Sequence, residues 1–431
     1  MADRFYAPPP LSPGTAALGD DCPAVDMEIR RLRPGEESAF VDVDAAAFGW
    51  RHPPERLSEE IAFVSEIRPW GALVAGRLAG IAALLDLRLT LPGGSRLPMT
   101  GITWVGVLPT HRRRGILRRL MGALLDDARE RGDPVAGLGA SEAPIYGRFG
   151  FGPAERVATV EVETARAAFR EPPADTGGVE VAGAADALAE LSPLQERVCA
   201  GRNGMVARTA AWERRRYRDA DREVGGLEPL RFALHRDRTG RVDGFLAYRT
   251  KLEWEPVPIR GELRVHELWA ETTEAEVSLW RFCLEHDLIS RVSAWWRSAD
   301  TVVPDLLADH RAWRQTLRDG MWLRPLDPVA LLAARRYGRE DGLVLEVHEP
   351  EGSAPRRFRL EGGLEGATCV SSSASPDLSL GVAALGSICL GGAPVERLHR
   401  AGQVEELTPG AAARATAMFA WSPLPWSGDI F

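Results

Sequence analysis

The apolar residues Leu117, Leu120, Met121, Leu124, Leu125 and Ala128 recur at the i, i+3, i+4, i+7 spacing of a helix with one buried face, so a helix is predicted to start near Gly115. Before it, residues 102–107 are apolar and β-branched, as in a buried strand, and Pro109 turns the chain between the two. Upstream, the pattern gives a helix carrying Phe40 and Phe48, a second helix, strands over 71–74 and 80–87, and a hairpin around residues 92–94. Downstream, residues 134–140 read as another short strand.

A similar outline returns further along. It has a helical part through Trp212, strands over 230–234, 244–249 and 263–268, a turn at 238–241 and a helix over 274–286. The remainder has strand-like runs at 343–348, 356–360 and 368–371, and residues 377–392 mix apolar and small side chains as a buried helix does. The first 27 residues, rich in Pro, Ala and Gly, read as a loose extension. The expected organisation is therefore an α/β chain in four parts: 1–27, 28–163, 164–326 and 327–431.

Composition narrows the functional classes. A chain of 431 residues with 45% hydrophobic content has enough apolar surface for two or three domains with cores. A net charge of −8 argues against a nucleic-acid partner and suits a cationic one. The five cysteines are far apart, with no metal-ligand spacing, so no metal is expected. No apolar run is long enough to cross a bilayer and the N-terminus has no apolar signal core, so a cytoplasmic protein is expected.

The chemistry is concentrated at the turn before the first amphipathic helix. A strand, the basic run Arg112-Arg113-Arg114, Gly115 and a helix N-terminus follow in that order. The turn amides and the positive helix end then point at one spot, where a pyrophosphate can accept backbone N–H bonds around Gly115 and Ile116 and meet the three guanidinium groups. In the second outline the corresponding run, 270–276, holds three glutamates and no glycine, which repels a pyrophosphate.

Arg112 and Gly115 resemble the Arg/Gln-x-x-Gly-x-Gly/Ala acetyl-CoA loop of GNAT N-acetyltransferases, with Leu117 replacing the last small residue. The segment from Ser141 through Tyr146 to Pro153 resembles more narrowly the Eis-type (enhanced intracellular survival) acetyltransferases, departing from their pattern at Phe151, where the family has tyrosine. The resemblance implies two tandem GNAT-like domains, the second degenerate, followed by a sterol-carrier-type α+β domain. For that last domain a core helix under a sheet is favoured over a bound lipid. It implies acetyl-CoA as co-substrate and a cationic amine, such as an aminoglycoside or polyamine, as acceptor. It also implies a homo-hexamer.

Residue by residue, Tyr146 becomes the candidate acid and Phe431, the last residue, the candidate base through its α-carboxylate. Val105, Val107, Arg112, Arg113, Arg114, Gly115, Ile116 and Ser141 are the candidate acetyl-CoA contacts. Trp104, Trp50, Phe48 and Asp429 are the candidate substrate contacts. Two further readings stay open on sequence: a peptide or lysine Nε-acetyltransferase, and a non-catalytic ligand- or lipid-binding protein on a GNAT scaffold.

Overall fold

The computed structural model describes residues 27–171, 177–218, 222–255, 260–350 and 352–431, so apart from Met27 the expected N-terminal extension lies outside the described residues. The first unit runs β1 (Met27–Arg31), α1 (Glu37–Phe48), α2 (Pro54–Ser65), β2 (Arg68–Val74), β3 (Arg77–Thr90), β4 (Arg96–Val107), α3 (Ile116–Glu130), β5 (Val135–Gly139), α4 (Ala143–Tyr146) and β6 (Gly152–Pro153). The second has β7 (Arg156–Glu163), β8 (Gly177–Ala182), α5 (Ala184–Gly201), α6 (Ala210–Tyr217), β9 (Arg231–Asp237), β10 (Val242–Glu253), β11 (Arg260–Ala270), α7 (Thr273–Leu284), β12 (Ile289–Ser298), α8 (Val303–Leu306) and β13 (Trp313–Asp319). After β14 (Met321–Pro325), the third unit has α9 (Pro328–Ala334), β15 (Asp341–His348), β16 (Arg356–Gly363), β17 (Gly366–Ser371), β18 (Leu378–Gly381), α10 (Val382–Ile388), α11 (Val395–Arg400), β19 (Val404–Glu406) and α12 (Ala411–Phe419).

The strands form three mixed sheets, ordered β1-β2-β3-β4-β5-β14-β6, β13-β7-β12-β11-β10-β9-β8 and β17-β16-β15-β18-β19. A boundary after residue 163 does not follow the sheets. β7 pairs with β12 and β13 of the second sheet, while β14 returns to pair with β5 and β6 of the first. This exchange ties the first two units together by backbone hydrogen bonds, and sequence periodicity carries no information about it because pairing partners lie far apart in the chain.

α3 buries Ile116, Leu120, Met121, Leu124, Leu125 and Ala128. Ile116, not Leu117, begins the buried stripe, each large apolar side chain contributing roughly 2 kcal/mol. In the third unit, residues 377–392 are not one helix: β18 precedes α10. The β-branched and leucine side chains of Leu345, Val347, Leu360, Leu378, Leu380 and Ile388 pack with Met418 and Phe419 of α12 beneath the sheet, so this region is a closed core.

Candidate active site

The site is built on the parallel pair β4–β5. Their register runs from Met99↔Val135 to Ile102↔Leu138 and ends there, while β4 continues to Val107 paired only with β3. The residues that divert β4 are Trp104 and Val105. The β3–β4 register shifts between Ile81 and Ala83, and Trp104 has φ 51°, a left-handed conformation that costs a bulky residue energy. The bulge bends β4 away from β5 and leaves one edge of residues 103–107, Val105 and Val107 included, without a strand partner among the described residues.

At the far end of that edge lies the turn before α3. Gly115 is the N-cap, with φ +76° and open space where a Cβ would stand. No side chain caps α3, and among the described residues the amides of 113–117 donate to no protein acceptor. Arg113 and Arg114 are exposed and have no partner among the described residues, whereas Arg112 donates from Nη2 to the Ala47 carbonyl at 3.0 Å and so ties the turn to α1. Ile116 turns its side chain into the core beside Gly80, leaving only its amide for a ligand. Leu117, the departure from the family pattern, packs against the cluster of Leu120 and Leu124 and does not fill the cradle.

Where β4 and β5 part, two groups approach. Tyr146, at the end of α4, is buried with Ile102, Leu138 and Phe151, on the sheet face covered by α3. Burial pushes its phenol above the ordinary value; the adjacent Ser141 hydroxyl opposes this and Glu142 adds to it. Ser141, a candidate acetyl-CoA contact, is thus a neighbour of Tyr146. The chain end arrives at the other face. A Cβ built on Gly139 would lie 3.0 Å from Ile430 Cγ1 and 3.4 Å from a backbone oxygen of the Phe431 carboxyl terminus, and one on Gly101 would lie 3.2 Å from the Phe431 ring. These two strand glycines are the room the tail needs. Periodicity passed over them, although a glycine inside a strand is itself a signal of close backbone approach.

An aromatic wall borders this fork. Trp104 packs against Phe40 and Phe63 at ring distances of 5.3 and 5.7 Å, and Arg215 lies over both Phe63 and Trp104. The Phe431 ring meets Trp212 of α6 edge-on at 5.8 Å. Phe48 and Trp50 are exposed, stacked on each other at 5.1 Å, and Phe48 sits where a Cβ on Gly106 of β4 would touch it. Trp50 Nε1 donates to Asp44 Oδ2 at 3.1 Å, and burial raises the Asp44 carboxyl.

Asp429 is not free to meet a substrate. It is buried, and its Oδ2 accepts from Arg208 Nε at 2.6 Å. Nothing near Asp429 in sequence marks it as an ion-pair partner, because Arg208 is more than two hundred residues away. Arg208, Glu267 and Glu155, which hold the tail, carry no local signal for the same reason.

Comparison with known proteins agrees with this geometry. Residues 28–154 and 204–325 each match the family model of an acetyltransferase (GNAT) domain, and 328–428 match that of a sterol carrier protein domain. An uncharacterized N-acetyltransferase of Streptomyces griseus is 37% identical over 419 residues, covering 94% of this chain and 100% of its own length. The N-acetyltransferase Eis of Mycobacterium tuberculosis is 35% identical over 335 residues, 74% of this chain and 78% of its own. The crystal structure of Eis1 from Mycobacterium abscessus superposes with a TM-score of 0.81 at 35% identity, covering 94% of this chain and all of that one. A GCN5-related N-acetyltransferase from Anabaena variabilis shares the fold at 20% identity, with a TM-score of 0.79. With two GNAT units, a sterol-carrier-type third unit and a forked β4–β5 pair that receives the chain end, this chain belongs to the Eis-type GNAT N-acetyltransferases.

Proposed function

We propose that the enzyme transfers an acetyl group from acetyl-CoA to a primary amine of a cationic small molecule, an aminoglycoside or polyamine, at the β4–β5 fork. The observation that carries this reading is the placement of the Phe431 terminus at Gly139, on the opposite sheet face from Tyr146.

The cradle residues fit the co-substrate. Among the described residues, the amides at 113–117 and the guanidinium groups of Arg113 and Arg114 have no partner and Gly115 is open, which suits a pyrophosphate; the edge of residues 103–107, likewise without a strand partner there, suits the amides of a pantetheine arm, with Val105 and Val107 offering backbone groups. When bound, acetyl-CoA supplies the acetyl thioester. Phe431 then does the first proton transfer: its carboxylate accepts, directly or through a water, the proton an ammonium must lose before its nitrogen can form the new N–C bond. A carboxylate is a weak base for an ammonium, and its negative charge also holds the cationic amine near. Tyr146 does the second. As the C–S bond breaks, its hydroxyl gives a proton to the leaving sulfur; a phenol raised by burial stays protonated at neutral pH and so remains a donor. Phe48, Trp50 and Trp104 give the amine aromatic faces, which attract cations. By family resemblance the enzyme is cytoplasmic and assembles as a hexamer, the latter open to sedimentation; no helix among the described residues is long and apolar enough to cross a membrane.

The test follows CoA release with a thiol-reactive chromophore, using aminoglycosides, polyamines and lysyl peptides as acceptors. Tyr146→Phe and deletion of Phe431 should each lower kcat by about 10²- to 10⁴-fold while acetyl-CoA binding survives. Turnover of lysyl peptides alone would replace the small-molecule reading, and failure to bind acetyl-CoA would end the enzymatic one.

A further inference from the structure

The last residues of the chain cross the molecule along a line of buried polar bonds, none of which the proposed acetyl transfer needs for its chemistry. The Trp426 amide donates to the Asn203 carbonyl at 3.0 Å. The Ser427 amide donates to Glu155 Oε1 at 2.7 Å, and its hydroxyl donates to the Asp429 carbonyl at 2.7 Å. Asp429 divides its carboxylate between the Ile430 amide, 2.8 Å from Oδ1, and Arg208 Nε, 2.6 Å from Oδ2. Arg208 in turn donates to both oxygens of Glu267, at 2.6 and 3.1 Å, and its side chain is only 2% exposed.

A buried ion pair is a poor way to gain stability, because desolvation consumes most of the attraction, but its geometry is fixed on both sides. Here the guanidinium is a rigid plane held by Glu267 of β11 at one edge and by the tail at the other. Arg216 and Tyr217 also bond to Glu267, at 2.5 Å each, so the anchor cannot swing. The segment bearing Arg208 is itself tied to the first unit: the Gly204 amide donates to the Thr90 carbonyl and the Thr90 amide to the Met205 carbonyl, both at 2.9 Å. Two residues beyond Asp429 the chain ends at the fork.

We propose that Arg208 is a positioning residue for the terminal carboxylate: by fixing Asp429 against Glu267, it sets how far Ile430 and Phe431 reach into the β4–β5 fork. This rests on the reading of the Phe431 carboxylate as the proton acceptor. It gives the second GNAT unit a part in the reaction of the first.

Two variants separate charge from shape. Arg208→Lys keeps the charge and loses the two-edged guanidinium; Asp429→Asn keeps the shape and loses the charge. Each is treated with a carboxypeptidase while folded, and release of the terminal phenylalanine is timed against the wild type. The clamp predicts release at least about tenfold faster in both variants. It also predicts kcat lowered about ten- to a hundredfold, with an unchanged KM for acetyl-CoA and no further loss when either change is combined with deletion of Phe431. Unchanged release from both folded variants, or losses that multiply with that of the deletion, would overturn it. If Arg208→Lys does not fold, Asp429→Asn carries the test alone. Should deletion of Phe431 leave turnover intact, the assignment of the base fails, while the carboxypeptidase rates still judge the clamp.

Discussion

In the first sheet β4 and β5 part after Ile102 and Leu138, and the edge of residues 103–107 has no strand partner among the described residues; in the second, β11 and β12 part after Val265 and Ala294, and the gap is filled. Both forks have the same supports. Each follows a bulge against the preceding strand, at Trp104 and Val105 in one and at His266 in the other. The contents differ. Arg297 Nη1 donates across the second gap to the Leu268 carbonyl at 3.1 Å, and Trp426 fits against Trp269 while its Nε1 donates to the Trp296 carbonyl at 3.2 Å. The helix ends differ too: α3 starts at a bare Gly115, whereas the Thr272 hydroxyl accepts from the Ala275 amide at 3.1 Å and Glu274 and Glu276 fill the first turn of α7. A fork that must receive a ligand keeps its amides and edges unpaired. One that only packs satisfies them from its own chain.

Giving the first cradle the charge of the second should have the largest effect. Arg113→Glu with Arg114→Glu removes two charge-assisted partners, each worth about 1.5–3 kcal/mol, and adds repulsion, so acetyl-CoA affinity by calorimetry should fall at least about a hundredfold. Emptying the second fork comes next. Trp426→Ala leaves a cavity among Trp269, Trp296 and Arg297 and should cost about 3–5 kcal/mol in urea unfolding, with turnover falling as the tail loosens.

Glu155 lies where the two sheets exchange strands, and it gives a smaller, pH-dependent effect. Burial pushes its carboxyl up to about 7, against the opposing pull of the Ser427 and Met321 amides. Because the folded value lies above the unfolded one, the folded state holds a proton the unfolded state has lost. Stability should therefore fall as pH rises between about 4.5 and 7, by up to about 1.4 kcal/mol per unit, and level off above. Glu155→Gln should flatten that slope in pH-dependent thermal melts. The smallest change is expected from the reverse graft. Thr272→Gly with Glu274→Arg uncaps α7 but leaves Trp426 and Arg297 in the gap, so calorimetry should still find one acetyl-CoA per chain.

The local parts are legible in the amino-acid pattern. The apolar stripe of α3, the buried strand before it, the Arg-rich turn and the segment from Ser141 to Pro153 each lie within a few residues, where periodicity and turn chemistry act. That span was enough to place Gly115, Tyr146 and the aromatic end of the chain in one family pattern, and to set residues 270–276 apart as a run whose three glutamates repel a pyrophosphate. What joins distant residues came from the packing of the folded chain. It put Gly101 and Gly139 under the tail, exchanged β7 for β14 between sheets, and turned Asp429 from a candidate substrate contact into the partner of Arg208. A buried ion pair or a strand pairing is specified by complementarity between segments, and neither segment carries in its own pattern the address of the other.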